Sequence, residues 1–449
     1  MTRFFHIKLF PLVLIVLFTG CDKIDPNDPV DIPAGSFYNI LVELGVDVNG
    51  DGTISHAEAE NVTALIISGR ELPDLKGIEC LVNLESLWCQ ENQLSTIDLS
   101  KNTVLKDLNC SDNLLSYLDV SNLTQLQNLD CSRNQIKTLD LAQCSELLNL
   151  DCSQNEIGRL ILGQIDKLQH INCRQNQIVS LALSECRDLI TFNCQLNQIE
   201  QLDLSNRKYL YDVNCNENQL TSLEISNNPA LQWFQCWGNQ LTELDLSNNT
   251  AMEYVGCVEN QLTHLDLSDQ INLYRLDCSG NQISQLDVSN REHLYSVDCD
   301  DNLLSSLKVS NNPELVSIDC NTNQLTSLDI SGNESLQDLY CDNNLLTSLD
   351  LSRLYRINRL ECGGNQLSEL DVSDQAALYL LRCRGNLLTS LDISNNSDIG
   401  RRDIECELDI GDMPTLGELC VWTLPFPPEG FNLCSDGSPN VYFTTSCSK

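Results

Sequence analysis

The chain of 449 residues has few basic residues, few histidines and few aromatic residues. Lysine and arginine number 26 against 64 aspartates and glutamates, and the net charge of -38 argues against binding to nucleic-acid phosphates. Five histidines, and no C-x-x-C pair among 23 cysteines, argue against Cys/His zinc clusters. Because the sequence also lacks G-x-S-x-G, H-E-x-x-H and phosphate-loop motifs, we do not expect an enzyme. A hydrophobic content of 42% is nevertheless ordinary for a folded protein.

Residues 1–20 have the pattern of an export signal, with a basic start and an apolar segment, residues 9–18, that is too short to span a membrane. Residues 17–21, L-F-T-G-C, resemble a bacterial lipobox. That resemblance implies lipidation of Cys21 and export to the outer membrane or cell surface of a Gram-negative bacterium, with the lipid as the only membrane contact. The alternative is an ordinary secretory signal with an unrelated cysteine. Residues 21–35 are rich in Pro and Asp and predict an extended tether.

Residues 36–61 contain a twelve-residue loop that fits the EF-hand calcium pattern. Side-chain oxygens stand at loop positions 1, 3, 5, 9 and 12, and Gly52 at position 6 suits the sharp turn. Such hard donors favour Ca²⁺ over softer metals, so we expect one structural Ca²⁺ site that stabilises an amino-terminal cap. The alternative is a polar turn that binds no ion. The expected ligands are Asp47, Asn49, Asp51, Thr53 through its backbone carbonyl, Ser55 and Glu58.

Fifteen cysteines recur at intervals of 21 residues, from Cys89 to Cys383, and an asparagine follows each of them three residues later. The unit is L-x-x-L-x-C-x-x-N-x-L-x-x-L-D-L-S-x-x-x-x, and residues 84–398 hold fifteen copies without insertion or deletion. One 22-residue unit, residues 62–83, precedes them. The period fails in residues 399–449, which we expect to form a carboxy-terminal cap.

The first half of this unit resembles the leucine-rich-repeat signature, with cysteine at its third apolar position. The chain is therefore similar to the nested 21-residue class of bacterial leucine-rich-repeat proteins and, more broadly, to internalin-like surface proteins. The resemblance implies a right-handed, mainly β repeat solenoid with parallel strands behind a small helical cap. The alternation of side chains along a strand agrees with this expectation, because a strand would point Leu87 and Cys89 inward and Trp88 outward. At about 4.8 Å per coil, sixteen coils would extend roughly 75 Å.

Two columns of repeated side chains are open to a chemical interpretation, and for both we favour a structural one. The ladder cysteines occupy leucine positions, where a free thiol acts as a small hydrophobe; metal or redox chemistry is the alternative. Acidic residues recur on the second strand of the unit, where we expect a solvated face hydrogen-bonded to serines such as Ser100, with weak calcium binding as the alternative. The acidic positions are Asp98, Asp119, Asp140, Asp203, Glu224, Asp245, Asp266, Asp287, Asp329, Asp350, Asp371 and Asp392.

Ligand contacts in such solenoids come from the first strand and the turn after it, where this chain has mostly Asp, Asn, Ser and Gln. The exceptions are aromatic and basic residues, which are typical of protein interfaces and of sugar-stacking sites. We expect a monomer that binds a protein or glycan on its concave face. The alternative is that the rings only cover one another. The predicted partner-binding residues are Trp88, Trp233, Trp237, Tyr254, Arg275 and Tyr340.

The carboxy-terminal cap holds four cysteines off the ladder, Cys406, Cys420, Cys434 and Cys447. In an exported protein they predict one or two disulfides, and all three pairings remain open. Leu416–Val421 is expected to be the last strand. The predicted function is surface-anchored binding of a partner, and the alternative is a rigid acidic spacer without a specific ligand.

Overall fold

A computed structural model describes residues 25–402 and 405–447, which form a parallel β-solenoid. All strand pairs are parallel, and one hydrophobic core runs from Ile32 to Phe426 through the interior of the coils. The predicted mainly β repeat solenoid with a small helical cap is confirmed. The export signal expected in residues 1–20 and the expected lipidation site Cys21 lie outside the described residues.

One wall of the solenoid is a continuous sheet of 18 parallel strands, which we call the front sheet. Neighbouring strands pair in register, so that Leu65 lies beside Leu87 and Leu87 beside Leu108. These central residues are buried, and the first and third residues of each three-residue strand form the outward front face. The strands are Ala64–Ile66, Ser86–Trp88, Asp107–Asn109, Asn128–Asp130, Asn149–Asp151, His170–Asn172, Thr191–Asn193, Asp212–Asn214, Trp233–Gln235, Tyr254–Gly256, Arg275–Asp277, Ser296–Asp298, Ser317–Asp319, Asp338–Tyr340, Arg359–Glu361, Leu380–Arg382, Leu408–Asp409 and Leu433–Cys434.

The opposite wall is less regular, with nine strands grouped in four small sheets. Between these groups the chain follows the same path, and isolated bridges such as Lys308 to Asp329 continue the parallel pairing. The strands of this second wall are Thr138–Asp140, Arg159–Ile161, Gln201–Asp203, Ser222–Glu224, Gln285–Asp287, Ser306–Lys308, Ser390–Asp392, Glu418–Cys420 and Tyr442–Thr444.

Each repeated coil leaves the front sheet through a left-handed corner. The residue before every ladder asparagine has a positive φ, between 48° and 69°, although only four of the fifteen are glycine. Left-handed backbone costs other residues roughly 1–2 kcal/mol. The asparagine holds the corner: Asn218 Nδ2 donates to the carbonyls of Cys194 and Cys215 at 3.0 and 3.2 Å, and its Oδ1 accepts from Ile199 N at 3.0 Å. All fifteen ladder asparagines bond to the preceding coil in this manner.

The amino-terminal cap has two α-helices, Ser36–Glu43 and His56–Glu60, on either side of the predicted calcium loop, and a 3₁₀ turn, Ile78–Cys80, in the first repeat. The second helix begins with a capping box, in which Ser55 accepts from the Glu58 N–H and the Glu58 carboxylate accepts from the Ser55 N–H. Nowhere in the described residues is a helix long and apolar enough to cross a bilayer.

The expected tether, residues 21–35, needs correction in its described part. Residues 26–32, which we call the strap, fold onto the cap: Val30 N donates to Ile54 O at 2.8 Å, and Ile32 is buried in the core. The Pro- and Asp-rich composition favours an extended segment. It also suits an edge segment that pairs with a loop, because proline is tolerated where no ladder N–H is needed.

The carboxy-terminal cap adds two coils, so the front sheet counts eighteen coils and not the sixteen expected. The predicted strand in Leu416–Val421 is present, as Glu418–Cys420, but Leu433–Cys434 and Tyr442–Thr444 follow it. Two disulfides settle the pairing that the sequence left open. They join Cys406 to Cys434 and Cys420 to Cys447, with Cα atoms 5.3 and 5.4 Å apart.

Candidate functional site

The front face is the candidate recognition surface. From the second strand to the eighth, its side chains line a groove of about 650 Å³, so this part of the face is concave. Amide and carboxylate groups dominate the lining and bond across strands: Ser86 Oγ donates to Asp107, and Asn172 Nδ2 donates to Asp151, both at 2.9 Å. Trp88 stands at one end of the groove and is about half exposed. Sequence reasoning passed over this groove because each amide, taken alone, is an ordinary surface residue.

Three of the predicted partner-binding residues come together further along the front face. Trp233, Tyr254 and Arg275 occupy the same register position on consecutive strands. The two rings are 5.8 Å apart, and the Arg275 guanidinium lies 5.8 Å from the Tyr254 ring centroid. A Cβ at Gly256 would lie 2.8 Å from Tyr254 Oη, so the tyrosine side chain lies over the glycine. We call Trp233, Tyr254 and Arg275 the aromatic patch.

The structure does not bring the other three predicted residues to this patch. Trp88 lies seven strands before Trp233 in the front sheet. Tyr340 lies three strands beyond Arg275, where its hydroxyl accepts a hydrogen bond from Arg359 Nη1 at 3.3 Å. Trp237 is half-buried on the turn after its strand.

An acidic column adjoins the aromatic patch. Asp277, Asp298 and Asp319 stand in register on three consecutive strands, and Arg275 Nη2 lies 3.3 Å from Asp298 Oδ2. Burial, and then repulsion from Asp277, raises the pKa of Asp298, and burial raises the pKa of Asp319 to about 6. The aromatic patch therefore lies beside a column of half-buried carboxylates. A 21-residue spacing was the available signal for this column, but aspartate is too common in this chain for the spacing to stand out.

The aspartate column of the second wall has its hydrogen bonds satisfied locally. All eleven aspartates accept a hydrogen bond from the backbone N–H two residues further on, as Asp98 does from Ser100 N at 3.0 Å. Hydrogen bonds from Ser100 lower the pKa of Asp98, so this carboxylate is ionised at neutral pH. These contacts agree with the solvated face expected for the column.

The surroundings of the ladder cysteines indicate a structural role. All fifteen are buried and none takes part in a disulfide, and burial raises the pKa of Cys89 to about 12. A buried thiol of this kind is a poor nucleophile and a poor metal ligand. Within residues 25–402 and 405–447, only Asp392, Cys420 and Cys447 bring three His, Cys or acidic ligand atoms within 4.8 Å of one another, and the two cysteines form a disulfide.

The predicted calcium loop has a tightly hydrogen-bonded turn. Asp47 accepts from the N–H groups of Gly50 and Gly52 at 2.8 and 3.0 Å. Asn49 Oδ1 accepts from Asp51 N at 2.8 Å, and Asp51 Oδ1 accepts from Thr53 N at 2.9 Å. Both glycines have positive φ, which a side chain would disfavour. The turn that the twelve-residue pattern predicts is therefore built by the proposed ligands themselves.

Glu58 closes the loop onto its first half. Its Oε1 accepts from Val48 N at 2.9 Å, and its Oε2 accepts from Ser55 N and Ser55 Oγ at 2.9 and 2.8 Å. The hydrogen bonds from Ser55 lower the pKa of Glu58, and those from Thr53 lower the pKa of Asp51, so both carboxylates are ionised at neutral pH. The donor set is entirely oxygen, and three of its six members are carboxylates, which fits a hard divalent cation.

Searches for relatives gave matches by structure alone: no protein-family model matches the chain, and no curated protein matches its sequence. Among solved structures, the functional domain of InlJ from Listeria monocytogenes, which includes a cysteine ladder, is similar over 89% of this chain and 78% of its own, with 25% identity and a TM-score of 0.60. The leucine-rich effector YopM from Yersinia pestis is similar over 80% and 91%, with 25% identity and a TM-score of 0.54.

A receptor shares the same fold. The plant peptide hormone receptor RGFR1, solved in complex with RGF2, is similar over 82% of this chain and 61% of its own, with 21% identity and a TM-score of 0.54. The structural neighbours are thus leucine-rich-repeat proteins of the internalin and YopM type, together with a plant peptide hormone receptor.

Proposed function

We propose that this protein is an exported, lipid-anchored recognition protein that binds another protein on its front face, at the aromatic patch. The observation that carries the proposal is the register of Trp233, Tyr254 and Arg275, which places two aromatic rings and a guanidinium side by side on an otherwise polar sheet. Aromatic and arginine residues are the ones that most often dominate interface energetics. Leucine-rich-repeat neighbours that include a receptor solved with its ligand support a protein partner.

The proposal is for binding and not catalysis. In the described residues the front face carries His170 as its one histidine, and its Nδ1 lies 2.8 Å from Thr191 Oγ1 within the groove. The uneven chemistry of the face, with amides first, then the aromatic patch, then the acidic column, favours a ligand over a uniform spacer. A glycan is the second candidate partner, because the amide groove ends at Trp88, whose ring is available for stacking.

The test compares two double variants in a cell-surface binding assay. Trp233→Ala with Tyr254→Ala removes both rings of the patch, whereas Tyr117→Ala with Tyr355→Ala removes two exposed rings that lie off the front face. We expect the patch variant to bind intact host or neighbouring cells at least about tenfold more weakly, because truncating a hot-spot aromatic residue costs about 2 kcal/mol or more. The control should bind as the unchanged protein does.

Treatment of the target cells separates the two partner classes. Loss of binding after surface proteolysis supports a protein, and loss after glycosidase treatment with the proteins intact supports a glycan. Equal binding by both double variants and the unchanged protein would argue against the patch. Absence of any cell-surface binding would favour the acidic spacer.

We also propose that the calcium loop binds one Ca²⁺ ion through Asp47, Asn49, Asp51, Ser55, Glu58 and the Thr53 carbonyl. When bound, the ion would neutralise the clustered carboxylates of the loop and so stabilise the cap. Calorimetric titration should find a single site that is lost in Asp47→Ala. Several further sites that survive this substitution would point instead to the aspartate column of the second wall.

The lipid anchor is proposed at Cys21. Cys21→Ser should release the exported protein from the membrane fraction and abolish incorporation of labelled fatty acid. Continued fractionation with membranes would contradict a lipid-only anchor.

A further inference from the structure

The strap and the calcium loop are joined through their backbones. Pro29 and Ser55 form an antiparallel bridge, and three hydrogen bonds connect the two segments. The bonds run from Val30 N to Ile54 O at 2.8 Å, from His56 N to Asp28 O at 2.9 Å, and from Ala57 N to Pro26 O at 2.8 Å. The strap therefore contacts the last part of the loop and the start of the helix after it.

This contact falls on the half of the loop that carries its last two side-chain ligands. Ser55 is one of them, and it is also the bridge partner of the strap. Glu58 is the other, and its carboxylate accepts hydrogen bonds from Ser55 N and Ser55 Oγ. The position of Ser55 thus sets the position of Glu58. The sequence contains one loop of this pattern, so no second loop is available to support it.

The other end of the strap is fixed to the solenoid. Ile32 is 9% exposed and belongs to the continuous core. It lies so close to Gly77 that a Cβ there would stand 2.9 Å from its Cα and side chain. The strap consequently links the loop to the first repeat.

We propose that the strap supports Ca²⁺ binding at the calcium loop. It holds Ser55 and Glu58 in the conformation that Ca²⁺ needs, and bound Ca²⁺ in turn holds the strap on the cap. The coupling is reciprocal, because two events that favour the same conformation must favour each other by the same factor. This inference rests on the proposed calcium loop.

The coupling has a consequence for the proposed anchor. A fully extended chain from Cys21 to the first strap residue, Pro26, spans at most about 18 Å. From Cys21 to the first helical residue, Ser36, it spans at most about 50 Å. With the strap released, the solenoid gains reach from the membrane. Calcium would therefore set how far the recognition surface stands from the bilayer.

The test uses the full chain and two substitutions at one position. Val30→Pro removes the N–H that donates to Ile54 O, and Val30→Ala shortens the same side chain but keeps that N–H. Calorimetric titration with Ca²⁺ should show affinity about fivefold weaker in Val30→Pro and changed less than about twofold in Val30→Ala. Amide exchange in the unchanged protein supplies a second measurement: Ca²⁺ should slow exchange at Val30, His56 and Ala57 by about tenfold or more.

The outcomes separate this inference from the calcium proposal. If Ca²⁺ binds and Asp47→Ala abolishes binding, but Val30→Pro keeps full affinity and the three amides do not respond, then the strap has no part in the site. If the unchanged protein takes up no Ca²⁺, both the loop and the strap assignments are wrong. Front-sheet amide exchange equal to that of Val30→Ala would show that Val30→Pro has folded.

Discussion

The ladder asparagines lead to a quantitative stability prediction. Asn218→Ala removes the acceptor of the Ile199 N–H and the donor to the carbonyls of Cys194 and Cys215, at a side chain only 8% exposed. A buried N–H left without a partner costs about 1–3 kcal/mol, and each further hydrogen bond lost costs about 1 kcal/mol net. Since the emptied space is small and part of this cost relaxes, we expect the free energy of unfolding to fall by about 2–4 kcal/mol.

The neighbouring Gln219→Ala is the matched control, because Gln219 is exposed and its side chain makes no hydrogen bond among the described contacts. It should change stability by less than about 0.5 kcal/mol. Urea denaturation followed by tryptophan fluorescence suits the measurement, since Trp233 and Trp237 lie in the next coil. Amide exchange in the flanking coils should be measured as well, because long repeat arrays can unfold in parts. Equal effects of Asn218→Ala and Gln219→Ala would refute the reasoning and leave core packing alone to hold the left-handed corner.

Three further predictions concern thiols, disulfides and pH. A thiol reagent should label ladder cysteines such as Cys89 only after denaturation, because burial raises the pKa of this thiol to about 12; rapid labelling of the native protein would contradict the buried ladder. Replacing Cys406 and Cys434 by serine should cost about 3 kcal/mol and speed amide exchange in the last two coils only, whereas unchanged exchange there would show that the disulfide is dispensable. Asp319→Asn should raise the free energy of unfolding at pH 7 but not at pH 4. The folded-state pKa of Asp319, about 6, lies above the unfolded value, so the stability linked to the protonated carboxyl is lost as pH rises through 6. Asp266→Asn, at a carboxyl whose pKa is lowered by hydrogen bonds from Ser268, should give no such gain; equal urea midpoints for both variants at pH 7 would contradict the assignment.

Most of the solenoid was predictable because the same side-chain packing is required in every coil. Leu87 and Cys89 must face inward and Trp88 outward whichever coils lie beside them, so a strict 21-residue period predicts the strands, the buried thiols and their parallel stacking. The same period puts Trp233 and Tyr254 at one position of neighbouring coils. It failed after residue 398, where the intervals between front-sheet strands lengthen and two more coils form without the leucine pattern.

The amino acids alone decided the repeat length, the buried cysteine and asparagine ladders, the acidic character and the calcium-type loop, because each depends on side chains near one another in the chain. Tertiary structure decided the disulfide partners, such as Cys406 with Cys434, and the seating of the strap against Ser55. It also decided that Asp319 is half-buried near three other carboxylates, Asp298, Asp300 and Asp342, and not simply solvated. The physical reason is common to all three. Backbone pairing between distant segments, cross-links and shared burial depend on where chains meet in space, and they leave no periodic side-chain pattern by which they could be recognised.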